Sequence, residues 1–424
     1  MSDIAFAKLK RLKINRYRNI KPGTELHFAD GINVLLGKNG SGKTTLLNLL
    51  SMVVSGNFYP IRREEFALAF ELSYARSDTD RPATWSVVIE NKRSSARKRS
   101  EREDPLSCSF SVTHKGRDSF HVTVGDSKLT LTCDSRLALK EHPYDSTQYG
   151  PLNEFGYHFI NDLATLPINP PLLFPALPQR IQRLDEARDW LRAQIFSDEP
   201  FATLTKVHDS DRAVLMNYTD IQALPSDLLE QFQSDFHNNT NPVTISLNAN
   251  KQIPSLQGIV STLGYIDGQA IFERQSSNQT ESTYGYPHFH FVMRDNTSIK
   301  LQALSFGEQR LFAYHYYLAC SPQVVIADEL TNGMHHQMVR SCIEAIGQRQ
   351  AFLATQNPLL LDHLEFTSLE SVQESFTLCS RDLIDGEERM TFRQMSDEEA
   401  REFFGHYGAE QEHINEILRC LGLW

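Results

Sequence analysis

Gly37-Lys38-Asn39-Gly40-Ser41-Gly42-Lys43-Thr44 reads G-x-x-x-x-G-K-[ST]. Glycines at these intervals let successive backbone N–H groups turn inward around an anion, and a helix opening at Lys43 adds its N-terminal partial charge at the same point. In that arrangement Gly37, Lys38, Asn39, Gly40, Ser41, Gly42, Lys43, Thr44 and Thr45 form the phosphate-binding set for ATP. Lys43 reaches the β- and γ-phosphates, and the Thr44 hydroxyl ligates Mg²⁺. The motif requires a strand before it and a helix after it. Both are expected here: Gly31-Ile32-Asn33-Val34-Leu35-Leu36 is a short, mostly apolar run, and Thr44-Thr45-Leu46-Leu47-Asn48-Leu49-Leu50 opens a helix.

A second segment supplies acids. The apolar run Val324-Val325-Ile326-Ala327 ends in Asp328-Glu329, at the carboxyl end of a strand, which is where parallel sheets bind ligands. This is a Walker B pattern: Asp328 is expected to hold Mg²⁺, directly or through a water, and Glu329 to orient or deprotonate the attacking water. A strand ending in two acids is, on its own, commonly a solvated terminus. The phosphate loop upstream gives it the catalytic reading, with Lys43 and Glu329 as catalytic groups.

The elements that must position these residues divide the chain into four stretches. Residues 1–60 and 300–424 read as the two halves of an α/β core, with a strand over Leu9–Ile14, a helix after Ser305, a helix near Gln337–Ile346, a strand Ala351–Thr355 and a helical tail from Ser396. Residues 61–145 carry strand-like pieces (Phe66–Leu72, Trp85–Ile89, His121–Val124) and read as an antiparallel β subdomain. Residues 146–299 read as a mixed helical insertion, with a proline-rich stretch Pro167–Pro178, an amphipathic helix near Ile181–Ile195 and an Asn-rich loop His237–Asn250. The predicted fold class is therefore α/β, a P-loop ATPase head with an antiparallel β subdomain and an insertion.

The chain has 424 residues, 40% apolar and 22% charged, with formal net charge −11, near soluble globular averages. It shows no apolar run long enough to span a bilayer and no signal-peptide pattern, so a cytoplasmic protein with no membrane partner is expected. The cysteines Cys108, Cys133, Cys320, Cys342, Cys379 and Cys420 form no C-x-x-C pair and read as reduced packing residues. The basic stretch Lys92-Arg93-Ser94-Ser95-Ala96-Arg97-Lys98-Arg99 reads either as a solvated loop or as a phosphate-backbone contact, so DNA stays open as a partner. His288 and His290 share one strand face and read as packing or surface histidines before metal ligands. Tyr314, Tyr316 and Tyr317 read as packing residues on the helix after Ser305.

Leu304-Ser305-Phe306-Gly307-Glu308-Gln309-Arg310, just upstream of Asp328 and leading into a helix, resembles the L-S-G-G-Q signature of ABC ATPases. In that family the signature of one subunit closes on the nucleotide held by the phosphate loop of another. The resemblance thus implies Ser305, Gly307 and Glu308 as nucleotide-facing residues and a homodimer or larger homo-oligomer. Leu330-Thr331-Asn332-Gly333-Met334-His335-His336 is similar to the stretch after Walker B in RecF, SMC-related and OLD-family ATPases, which makes Asn332–His335 the D-loop. Ala354-Thr355-Gln356-Asn357-Pro358-Leu359-Leu360 resembles the T-H-S-P-x-L-L of the same families, with Gln356 in place of the switch histidine. Gln356 can contact a γ-phosphate or water but cannot titrate. Leu12-Lys13-Ile14-Asn15-Arg16-Tyr17-Arg18-Asn19-Ile20 resembles their opening, which implies Arg18 as a nucleotide contact, with a surface arginine as the alternative. The Mg²⁺-contacting Q-loop glutamine has no clear match; Gln148 is the candidate.

The phosphate loop and signature lie about 260 residues apart, unlike the compact cassette of transporter subunits, and no sustained heptad builds SMC-type arms. The opening Asn33–Thr44 resembles the stand-alone ATPases of prokaryotic anti-phage defence, of the Septu, retron and PARIS type. That resemblance implies control of a separate effector, a nuclease or toxin on another chain, since no stretch for a TOPRIM domain follows the last core strand. A RecF-like DNA repair ATPase is the alternative.

Overall fold

The computed structural model describes residues 7–55, 58, 61, 64–76, 79–92, 107–114, 119–125, 128–133, 137–143, 195–196, 225–236, 242–247, 253–277, 282–284, 287–320, 324–355, 358–408 and 413–423. In chain order the first elements are β1 (Ala7–Tyr17), β2 (Thr24–His27), β3 (Ile32–Leu36), α1 (Lys43–Ser55), β4 (Phe66–Arg76), β5 (Thr79–Lys92), β6 (Ser107–His114), β7 (Ser119–Gly125), β8 (Lys128–Cys133), β9 (Leu137–Pro143) and β10 (Ile195–Phe196). There follow α2 (Ser226–Phe236), β11 (Val243–Ser246), α3 (Pro254–Thr262), β12 (Asp267–Phe272), β13 (Arg274–Ser277), β14 (Ser282–Tyr284), β15 (His288–Val292), β16 (Ser298–Lys300) and α4 (Phe306–Cys320). The last are β17 (Val324–Asp328), α5 (His336–Ile346), β18 (Gln350–Ala354), α6 (Leu369–Ser375), β19 (Phe376–Ile384), β20 (Glu387–Arg393), α7 (Asp397–Gly408) and α8 (Ile414–Cys420).

The central sheet runs β10-β17-β18-β3-β19-β20 and is parallel except for β20. Its strands are the apolar runs of the sequence, and such runs suit a sheet covered on both faces. Alternate residues enter two different cores. Val34, Val325, Ala327, Ala351 and Leu353 join one with α3, α4, α5 and the C-terminal helices. Leu35, Val324, Ile326, Phe352 and Ala354 join the other with α1 and the antiparallel strands. This two-residue alternation sets register, because a one-residue slip would exchange the two cores.

An eight-stranded antiparallel sheet, β2-β1-β4-β5-β6-β7-β8-β9, lies on the α1 side. β1 and β2 lie within residues 1–60, yet they pair into this sheet and not into the parallel core. Buried Gln350 ties the two sheets together: its amide nitrogen donates to the carbonyls of Leu9 (2.8 Å) and Ala29 (2.7 Å), and its oxygen accepts from Leu9 N (2.7 Å). A four-stranded sheet, β11-β12-β15-β16, sits in the same core as α3 and α4. β11 falls inside the Asn-rich stretch read as a loop, because Val243 and Ile245 alternate with Thr244 and Ser246 and are buried. The proline-rich stretch and most of the expected helix near Ile181–Ile195 lie outside the described residues. Among the described residues, no helix is long and apolar enough to cross a membrane.

Candidate functional site

β3 delivers the chain to the phosphate loop at the carboxyl edge of the central sheet, and α1 starts at Lys43. Gly37 takes φ +153°, and a Cβ there would collide with the Cys379 carbonyl of the neighbouring β19. The glycine at this position is therefore required by close packing as well as by the turn. Lys43 folds its ammonium back over the loop and donates to the carbonyls of Gly37 (2.7 Å) and Lys38 (3.2 Å). Ser41 N closes the loop on Lys38 O at 3.1 Å. The Ser41 hydroxyl is buried and has no hydrogen-bond partner among the described residues, a polar group that a bound phosphate would satisfy. Lys38, Asn39 and Gly40 are exposed. A cavity of about 540 Å³ is lined by this loop together with Leu378, Ser380, Arg381, Arg393 and Leu423.

β17 lies one strand away from β3, with β18 between them, so Asp328 reaches the helix start. Thr44 Oγ1 donates to Asp328 Oδ2 at 2.5 Å, across a sequence separation of 284 residues. Two hard oxygen donors at the mouth of a phosphate loop fit a divalent cation with oxygen ligands. Glu329 follows in the left-handed region, φ +51°, where non-glycine residues are uncommon. Its amide donates to Ala354 O at 2.8 Å, and its carbonyl accepts from Arg310 Nη2.

Ser305 caps α4. Its amide and its hydroxyl donate to Glu308 Oε2 at 2.9 and 2.6 Å, and its oxygen accepts from the Glu308 amide at 3.4 Å. This is a capping box, the arrangement that S-x-x-E at a helix start favours. Ser305 and Phe306 are exposed, while Gly307 is buried. A Cβ at Gly307 would sit 2.5 Å from the Gly333 carbonyl, so the signature packs against the D-loop of its own chain. Among the described residues, neither Ser305 nor Glu308 bonds to the phosphate loop of the same chain. Further along α4, Tyr314, Tyr316 and Tyr317 are buried, and Tyr317 OH accepts from Ile326 N at 2.9 Å.

Arg18 is pinned by a two-bond pair with Glu64 (Nε to Oε2 2.8 Å, Nη2 to Oε1 2.7 Å). Its backbone takes φ +46°. The structure thus brings together Lys43, Thr44 and Asp328, sets Glu329 next to them in sequence, and gives Arg18 a carboxylate partner. Gln356, Gln148 and the basic loop 93–99 lie outside the described residues. The preceding Thr355 is buried, and its hydroxyl meets Thr331 Oγ1, just before the D-loop stretch, at 3.2 Å. His288 and His290 share one face of β15; among the described residues no group of three potential metal-binding side chains occurs. Cys342 and Cys379 are buried free thiols.

Sequence reasoning gave no role to Arg310, Thr331, Arg381 or Arg393. Arg310 lies inside the signature stretch, and an arginine directly before the apolar run Leu311-Phe312-Ala313 was the signal available. Arg381 and Arg393 belong to the hairpin β19–β20, which was not expected.

Two family models match the chain: an AAA domain over residues 11–142, and one described as "AAA domain, putative AbiEii toxin, Type IV TA system" over residues 160–362. The DNA replication and repair protein RecF of Deinococcus radiodurans is 34% identical over 88 residues, 20% of this chain and 23% of that protein. RecF of Teredinibacter turnerae is 41% identical over 51 residues, 12% of this chain and 13% of that protein. The chain thus matches less than a quarter of the length of these curated relatives. Among solved structures, the SMC head domain from Thermotoga maritima aligns over 92% of this chain and 99% of that one, at 11% identity and TM-score 0.37. With AAA-domain models matched along the chain and phosphate loop, Walker B and signature carried by one α/β core, the fold is that of an ABC-type P-loop ATPase head.

Proposed function

We propose that the protein binds and hydrolyses ATP at a site completed by two copies of the chain. The observation that supports this most is the bond from Thr44 to Asp328, which joins two motifs 284 residues apart at the mouth of the phosphate loop. The loop amides and Lys43 hold the triphosphate, and Glu329 orients the water that attacks the γ-phosphorus in line with the departing ADP oxygen. Thr44 and Asp328 are the residues to hold Mg²⁺, which when bound neutralises charge on the phosphate oxygens. Ser305 and the N-terminus of α4 make no bond to their own phosphate loop among the described residues and suit the γ-phosphate of a partner's nucleotide.

Asp328→Asn tests the one-chain part of this reading. Phosphate release should fall about a hundredfold while a fluorescent ATP analogue still binds; parental turnover would remove Asp328 from the site.

We further propose that ATP turnover controls a separate effector, a nuclease or toxin, in prokaryotic anti-phage defence. The supporting observations are the Asn33–Thr44 opening and the description of the second AAA family. A RecF-like role in DNA repair is the second reading, supported by the two RecF matches. Co-purification with the product of an adjacent gene supports the first. Duplex-DNA binding that weakens steeply with salt supports the second, and neutralising the five basic residues of 92–99 should then flatten the slope.

A further inference from the structure

We propose that Arg310 is a positioning residue for Glu329, through which the signature helix holds the Walker B glutamate in its working backbone geometry. The proposal rests on the reading of Glu329 as the residue that orients the attacking water.

Arg310 lies in the second turn of α4, five residues after Ser305, and is 2% exposed, the largest fully buried side chain described. Its Nη2 donates to the Glu329 carbonyl and its Nε to the Leu330 carbonyl at 3.0 Å. A planar guanidinium presents donors in a fixed fork and can hold two successive carbonyls at once; an ammonium is a point donor and cannot do so with the same geometry.

The residue so held needs support. Glu329 has φ +51°, a conformation that persists in a non-glycine residue only where surrounding structure over-determines it. Its amide is fixed by Ala354 O at the end of β18 (2.8 Å), and its carbonyl also accepts from Asn332 N in the D-loop turn (3.2 Å). Arg310 supplies the link that comes from the signature helix. Burial lowers the Arg310 pKa, and the carboxylates of Glu329 and Asp328 act against that shift. Burial pushes the neighbouring Cys342 thiol upward, so that group stays neutral. The guanidinium therefore remains a cation whose acidic neighbours are the two Walker B carboxylates.

The consequence concerns two sites at once. In the composite arrangement proposed above, the N-terminus of α4 meets the partner's nucleotide, while Glu329 serves the nucleotide of its own chain. Arg310 joins the two within one protomer, next to the close contact of Gly307 with Gly333. Movement of the signature helix on closure would reach Glu329 through this guanidinium.

The test compares full-length parent, Arg310→Lys, Arg310→Gln, Glu329→Gln and the double variant Arg310→Lys/Glu329→Gln. It measures kcat, the affinity for a fluorescent ATP analogue and the melting temperature. In Arg310→Lys, kcat should fall about ten- to a hundredfold with analogue affinity within about twofold of parent. The double variant should be no slower than Glu329→Gln alone, since both changes remove one function. Arg310→Gln, which can bond one carbonyl, serves if the lysine variant does not fold. Parental kcat in folded Arg310→Lys, or an added loss on top of Glu329→Gln, would overturn the proposal. So would kcat, affinity and melting temperature falling in step, the mark of a purely structural role. Full hydrolysis in Glu329→Gln would instead remove the reading of Glu329 on which the proposal rests.

Discussion

Lys43 shows how a functional side chain can also be structural. Its ammonium holds the carbonyls of Gly37 and Lys38, and the residue is buried, so it does more than wait for phosphate. Lys43→Ala should therefore abolish ATP binding and also lower stability by about 1–3 kcal/mol, the range for losing hydrogen bonds to a charged group. Calorimetric titration and a urea melt would read the two effects; unchanged ATP binding would remove the phosphate-loop assignment. The spacing of Gly37, Gly42, Lys43 and Thr44 made this part legible, because phosphate chemistry demands those residue types in that order. Arg310 was not legible in the same way. Its role depends on the carbonyls it meets, and backbone acceptors leave no mark on the residue types around them. The left-handed φ of Glu329 was equally hidden, since that conformation favours glycine or asparagine and the sequence has glutamate there.

At the scale of elements, the apolar strands β3, β17 and β18 were readable from composition because burial on both faces needs continuous apolar runs. The hairpin β19–β20 was not. Its first strand is buried only to Cys379 and then exposes Ser380, Arg381, Asp382 and Leu383, so the charged outer half reads as loop. A signal was present: Asp385 and Gly386 take φ +53° and +79°, and Asp-Gly is a favoured two-residue hairpin turn. α4 carries a second consequence. His315 on this helix has its pKa lowered to about 4 by burial, against an ordinary value of 6.5. The folded protein thus binds fewer protons than the unfolded chain in that window. His315 costs no stability above pH 6.5 and an increasing amount as pH falls toward about 4. His315→Gln should remove this loss, gaining on the order of 2 kcal/mol over parent near pH 4.5, after allowance for partial exposure. Urea melts between pH 7 and 4.5 would show the two curves diverging; parallel curves would contradict the assignment.

For the whole molecule, the site depends on one sheet between two cores and on Gln350, which ties β18 to β1 across the join between the sheets. Long-range links of this kind are not visible in local patterns, so the division of the chain at residue 60 missed that β1 and β2 belong to the antiparallel sheet. The sequence does carry both a phosphate loop and a signature on one chain, and the proposed site has each ATP held by one chain and completed by another. The most direct measurement follows nucleotide-dependent closure with a distance probe on each protomer, in Glu329→Gln and in Ser305→Arg. Glu329→Gln keeps shape and ATP binding but slows hydrolysis, so ATP should accumulate between two copies and hold them closed. Ser305→Arg should bind ATP on one copy yet fail to close, because the new side chain occupies the place of the partner's γ-phosphate. ATP-dependent closure strengthened in the first and absent in the second, with hydrolysis low in both, is the expected result. Ser305→Arg protomers that close and hydrolyse ATP like the parent would contradict the two-chain site.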